Sequence, residues 1–203
     1  MGAWQNNMPQ GMLLKDWDNT VGTRFGAARK QLVDAGARVT DEPMPLFDDM
    51  VAVNAKGGFA PAEAFSIHRE HLAHHAEDFD PNVRARIERG AKLTAADYVD
   101  MARRRARLIR AMDAQLANLD ALMLPTTPIV APTIAEMLDT NTFNTKNMLL
   151  LRNTATWNFF DMCAISLPIP GSGLPVGLML VARNGHDRRL FEIAAGIERL
   201  FAA

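Results

Sequence analysis

The sequence is poor in cysteine: Cys163 is the one thiol among 203 residues. A single cysteine rules out an internal disulfide framework, and such usage fits a reducing, cytoplasmic setting. Long apolar runs are missing too. Nothing approaches the ~20 consecutive apolar residues of a membrane span, and Met1–Gln10 lacks the apolar centre of a signal peptide. No membrane partner is expected on that ground. Nor does charge of either sign dominate. A formal net charge of -1 gives no electrostatic case for nucleic acid or an anionic bilayer. What remains is ordinary: 48% hydrophobic and 22% charged residues allow a sizeable core and argue against wholesale disorder.

Along the chain, residues 1–10 are polar and contain proline, and read as a tail or boundary segment. Gly11–Lys15 reads as a short strand. From Val21 to Ala35, Phe25, Ala28, Leu32 and Ala35 recur at helical spacing, and Gly36 follows as a stop. Ala37–Thr40 then reads as a second strand, so a parallel strand–helix–strand unit is expected. A helix-rich stretch comes next, over about 48–119. Pro61–Glu77 carries Ala64, Ile67, His68, His71 and Leu72 on one face, and Asp80-Pro81 opens a helix ended by Gly90. Thr94 with Asp97 opens the clearest helix, whose stripe runs through Tyr98, Met101, Leu108, Ile109, Met112, Leu116 and Leu119.

The character changes at Asp120. Ala121–Leu124 reads as a buried strand ended by the rigid Pro125-Thr126-Thr127-Pro128 loop. Asn144–Phe160 reads as a helix. Ala164–Leu167 and Val176–Ala182 read as a strand hairpin, and Asp187 as the cap of a closing amphipathic helix. The order is mixed α/β.

Two stretches name a family. One is Asp120-Ala121-Leu122-Met123-Leu124-Pro125-Thr126-Thr127-Pro128. The other runs Asn153-Thr154, Asn158, Ala164-Ile165-Ser166-Leu167-Pro168, then Gly173-Leu174-Pro175-Val176-Gly177-Leu178-Met179-Leu180. Each motif is weak alone. As an ordered set they resemble the C-terminal part of amidase-signature hydrolases, from about Gly11 to Leu200. The resemblance implies an α/β/α fold, with a mixed sheet flanked by helices, and assigns residues 11–203 to the later part of that domain. The chain departs from the pattern at Asp161-Met162-Cys163, where the family has Gly-x-Pro. Loss of that glycine and proline is expected to alter the backbone entering the next strand.

The resemblance also implies a chemistry. The family cleaves amide bonds with a Ser–cis-Ser–Lys triad and a Gly/Ser-rich oxyanion loop. This chain holds three serines, Ser66, Ser166 and Ser172, none of them in a Gly-Gly-Ser-Ser-Gly-like run. Lys15, Lys30, Lys56, Lys92 and Lys146 stand in no family-like catalytic context. The expectation is an inactive scaffold and pocket portion, with no catalytic residue of its own, whose partner is a missing N-terminal catalytic segment. By analogy Thr126, Thr127, Pro128, Thr154, Trp157 and Asn158 would contact a small-molecule amide substrate, and no cofactor is implied. The competing reading is a free-standing binding module that reuses this half of the fold. An exposed apolar face would favour the first reading, with homodimerisation as its rescue.

Other features have plainer readings. His68, His71, His74 and His75 miss the His-Glu-x-x-His zinc pattern, so no metal is expected. Arg103-Arg104-Arg105 with Arg107 and Arg110 reads as a solvated helix face. Gly171-Ser172-Gly173 reads as a strand connection, and Cys163 as a core residue.

Overall fold

A computed structural model describes residues 5–202, with side chains from Asn7 onward. It divides into two units, Met1–Pro45 with Ala111–Ala203, and Leu46–Arg110.

The first unit is built on a five-stranded sheet. Strand β1 (Gln5–Pro9) leads through helix α1 (Asn19–Asp34) to β2 (Arg38–Glu42). After the helical unit come β3 (Ala121–Pro125), α6 (Thr140–Phe159), β4 (Cys163–Pro168), β5 (Gly177–Ala182) and α7 (Asp187–Phe201). The strand order is β2-β1-β3-β5-β4. β1 lies parallel to both β2 and β3, whereas β5 is antiparallel to β3 and β4.

Two expectations change here. Gln5–Pro9, read as part of a tail, is a strand hydrogen-bonded on both sides; residues 1–4 of that segment lie outside the described residues. Gly11–Lys15, read as the strand, holds a 3-10 turn over Met12–Leu14. The physical reason lies in β1's polar side chains, which give no apolar alternation to read. Asn7 is buried, and its amide is satisfied across the sheet. Its Nδ2 donates to Glu42 (2.9 Å), and Thr40 donates to its Oδ1 (2.7 Å).

Side-chain alternation splits the sheet into two apolar faces. Val21, Phe25, Ala28 and Leu32 of α1, with Leu190, Ile193, Ala194 and Ile197 of α7, pack in one cluster with Ala121, Met123, Leu167, Leu178 and Leu180. The alternate residues Leu122, Leu124, Met179 and Val181 are equally buried, as are Trp157 of α6 and Phe160 at its C-terminal end. β3 is therefore buried at every position. β4 is not: Ala164, Ser166 and Pro168 are exposed along one face.

The second unit contains α2 (Leu46–Val53), α3 (Phe59–His74), α4 (Pro81–Glu88) and the larger part of α5 (Ala95–Gln115). Asp80 caps α4 by accepting from the Asn82 and Val83 N–H groups. Thr94 and Asp97 close the reciprocal box at the head of α5, each accepting from the other's backbone. α3 buries no residue along its length, and Ile67 is 76% exposed.

At the far end of the first unit, His186 precedes α7 with no side-chain cap bond, so Asp187 is the first helical residue and not the cap. Its carboxylate still sits where the helix dipole favours negative charge. Among the described residues no helix is long and apolar enough to cross a membrane.

Candidate functional site

The loop leaving β3 is where the expected substrate residues begin. The Thr126 N–H continues the β3–β5 pairing by donating to the Gly177 carbonyl (2.9 Å). Its hydroxyl lies 2.6 Å from that of Ser166, 40 residues later on β4. A Cβ on Gly177 would come within 2.5 Å of both hydroxyl oxygens. Glycine at 177 is what allows the two to meet.

The rest of this loop is fastened from two sides. Asn153 of α6 is fully buried and donates from Nδ2 to the Pro125 carbonyl (2.7 Å). Asp18 caps α1 by accepting from the Val21 N–H (2.7 Å). Its other oxygen accepts from the Val130 N–H (2.7 Å), while its own N–H donates to the Pro128 carbonyl (2.9 Å). Asp18, through its carboxylate and its own N–H, thus ties the start of α1 to both sides of Ile129. Nearby, Arg152 donates to the Lys15 carbonyl (2.6 Å) and faces Asp16 at 3.6 Å. Burial lowers its guanidinium pKa, against the pull of Asp16.

Of the six expected residues, Thr126, Thr127 and Pro128 share this loop. Thr127 spends its hydroxyl on the Ile129 carbonyl (2.9 Å), forming the local turn. Pro128 is buried. Thr154, Trp157 and Asn158 lie along α6. Thr154 donates back to the Leu151 carbonyl (3.2 Å), Trp157 is 1% exposed, and Asn158 faces solvent. Ser166, Asn153, Gly177 and Asp18 were not among the six. The Asn-Thr and Ser-x-Pro patterns mark two of them in the sequence, but without the contacts that make them matter.

The departure at Asp161-Met162-Cys163 resolves locally. Asp161 itself takes a left-handed φ of 59°. The Met162 N–H donates to the Trp157 carbonyl (3.1 Å) and the Asp161 N–H to the Asn158 carbonyl (3.2 Å), a Schellman closure of α6. The glycine-like turn is kept without glycine, and Asn184 donates to the Asp161 carboxylate at 3.0 Å. Beyond it, the Cys163 thiol donates to the carbonyls of Ala182 and Arg183. Burial, then Asp187, raises its pKa, so it stays a thiol at neutral pH. The neighbouring Asp113 is held below its usual range by a two-pronged bond from Arg183 (2.7 and 2.8 Å).

In the helical unit, the His71 and His75 rings lie 5.1 Å apart and His71 reaches Asp78 at 3.3 Å. Among the described residues no group of three metal-binding side chains forms. Arg103, Arg107 and Arg110 are exposed.

Known proteins share both the sequence pattern and the fold. A model of the family described as Amidase matches residues 8–191. The 2-amino-5-chloromuconic acid deaminase of Comamonas testosteroni is 31% identical over 199 residues, covering 95% of this chain and 42% of that protein. A glutamyl-tRNA(Gln) amidotransferase subunit of Cereibacter sphaeroides is 30% identical over 206 residues, covering 86% of this chain and 41% of that protein. Among solved structures, a Kluyveromyces lactis allophanate hydrolase variant overlays with a TM-score of 0.84 at 20% identity, over 98% of this chain and 32% of that one. The chain spans about two fifths of the length of these curated relatives.

Proposed function

The chain belongs to the amidase family, and on that premise we propose that it supplies the scaffold and one wall of the substrate pocket of an amide-bond hydrolase. The observation that carries this reading is the Thr126–Ser166 hydroxyl pair, set on the exposed face of β4 beside a loop pinned by Asn153 and Asp18. Two hydroxyls sharing one hydrogen bond leave a proton and lone pairs to offer outward. Pinning the loop holds them still, which a site needs if it is to orient an amide. In this reading Thr126 and Ser166 touch the acyl side of the substrate. Thr127 and Pro128 shape the loop, Thr154 and Asn158 lie at the rim, and Trp157 is the packed wall behind.

In this reading the Ser–cis-Ser–Lys triad is supplied by a separate N-terminal catalytic segment. In support, the lysine amines that make bonds here spend them on carboxylates, Lys30 on Asp34, Lys56 on Asp97 and Lys146 on Glu136. An attacking serine needs a neutral base instead. Ile134 (86% exposed), Leu138 (81%) and Met148 (67%) leave large apolar side chains in solvent, and in this reading they meet further chain or, without it, a second copy.

Turnover assays of the 203-residue chain on amide, nitroanilide and ester panels test the assignment, and no activity is expected. Turnover abolished by Ser166→Ala would sink it. Titration with small amides, followed by backbone NMR, tests the pocket: shifts should centre on Thr126, Ser166 and Gly177. Shifts confined to the helical unit would refute the pocket assignment.

A further inference from the structure

An asparagine followed by glycine is the amide most open to attack by its own backbone. A side chain on the following residue would crowd the approach of the next peptide nitrogen. Asn184 is the one asparagine of this sequence that precedes a glycine. It stands with Gly185 between β5 and α7, at the centre of a turn closed by the His186 N–H on the Arg183 carbonyl (3.1 Å). Gly185 has φ 78°, and nothing lies within 4 Å of where its Cβ would be. Both residues are exposed. Among the described residues, the Gly185 N–H donates to no backbone carbonyl.

Other asparagines are differently placed. Asn153 is buried inside α6 with its amide on the Pro125 carbonyl, and Asn54 holds the Met50 carbonyl.

We propose that Asn184 is a self-modification site, at which the backbone nitrogen of Gly185 attacks the side-chain amide carbon and expels ammonia. The nitrogen gives its proton to a base in the solvent and forms the N–Cγ bond. The Cγ–Nδ2 bond breaks, and ammonia leaves with a proton from water. The product is a five-membered succinimide. Water then opens the ring at either carbonyl, giving an aspartyl or an isoaspartyl linkage, with no oxidant or reductant involved.

The consequence is local and specific. Asn184 now donates to Asp161, the left-handed residue that closes α6 and leads into β4. After reaction a carboxylate faces that carboxylate, and attraction becomes repulsion. The isoaspartyl form also adds a carbon to a turn whose first residue, Arg183, is clamped by Asp113.

The folded 203-residue chain, aged at mildly alkaline pH and digested with trypsin, reports on the peptide from Asn184 to Arg188. That peptide should change from amide to acid ahead of every other asparagine-containing peptide, and should accept methyl groups from an isoaspartyl methyltransferase. Gly185→Ala and Asn184→Gln should each lose both signals, the second while keeping an amide donor. The thermal midpoint of the aged protein should fall as the modified fraction grows. The proposal fails if the peptide stays intact in the folded chain while the urea-unfolded chain reacts, or if another asparagine reacts first.

Discussion

Helices α1 and α3 are both 16 residues long, yet they stand in opposite relation to the protein interior. α1 buries Val21, Phe25, Ala28 and Leu32, one residue per turn, against a sheet. α3 buries nothing fully along its length: Ala64, His68 and Leu72 are half-buried, and Ile67 looks into solvent. α3 is held by partly buried contacts and close backbone approach: Tyr98 donates to Glu63 (2.8 Å), the Phe59 and Tyr98 rings meet edge-on at 5.5 Å, and a Cβ on Gly90 would run into the Pro61 carbonyl. Apolar periodicity therefore nominates a buried face, but a sheet or a neighbouring helix has to be there to bury it.

The largest expected effect tests the α1 side. Phe25→Ala, at a site 2% exposed, should cost about 3–5 kcal/mol in urea unfolding. Ile67→Ala should stay within about 0.5 kcal/mol. Equal losses would break the comparison. Next comes the backbone contact of α3. Gly90→Ala should cost about 1–3 kcal/mol, and faster hydrogen exchange in α3 than in α1 would locate the damage. A wild-type exchange pattern would show that the approach is slack.

A smaller effect, of opposite sign, belongs to the end of α6. Asp161→Gly relieves a left-handed non-glycine residue and should gain up to about 1 kcal/mol, less what the Asn184 bond contributed. The thermal midpoint would measure it, and a clear fall would mean that the Asn184 contact outweighs the backbone strain.

The smallest effect is the acid response of the helical unit. Lys56, then Thr94, holds the Asp97 carboxyl at about 2, below its ordinary 3.8. A carboxyl depressed on folding stabilises above its unfolded value, and that contribution is lost as pH falls through the folded value. The start of α5 should therefore loosen between roughly pH 4 and pH 2. Asp97→Asn should flatten that dependence in a pH series followed by circular dichroism, and an unchanged slope would assign it to other carboxylates.

The candidate site is legible in its parts. The Pro-Thr loop is readable because prolines fix their own φ and threonines close turns locally. Asn153 and Ser166 stand inside family motifs, but their importance depends on partners 28 and 40 residues away. Asp161 shows the converse. Its sequence resembles a broken turn, yet the helix end imposes the left-handed conformation and aspartate tolerates it.

By itself, the sequence determined α1, β3, the β4–β5 hairpin and α7, together with membership of the amidase family. These rest on periodicity and short ordered motifs, which a chain carries locally. Only the tertiary structure decided that polar Gln5–Pro9 pairs on both sides within a sheet, and that Ile67 faces water. Tertiary contacts alone also brought Thr126 and Ser166 together over a glycine. Each of these depends on which distant segment arrives alongside, and neither hydrophobic spacing nor turn chemistry encodes that arrival.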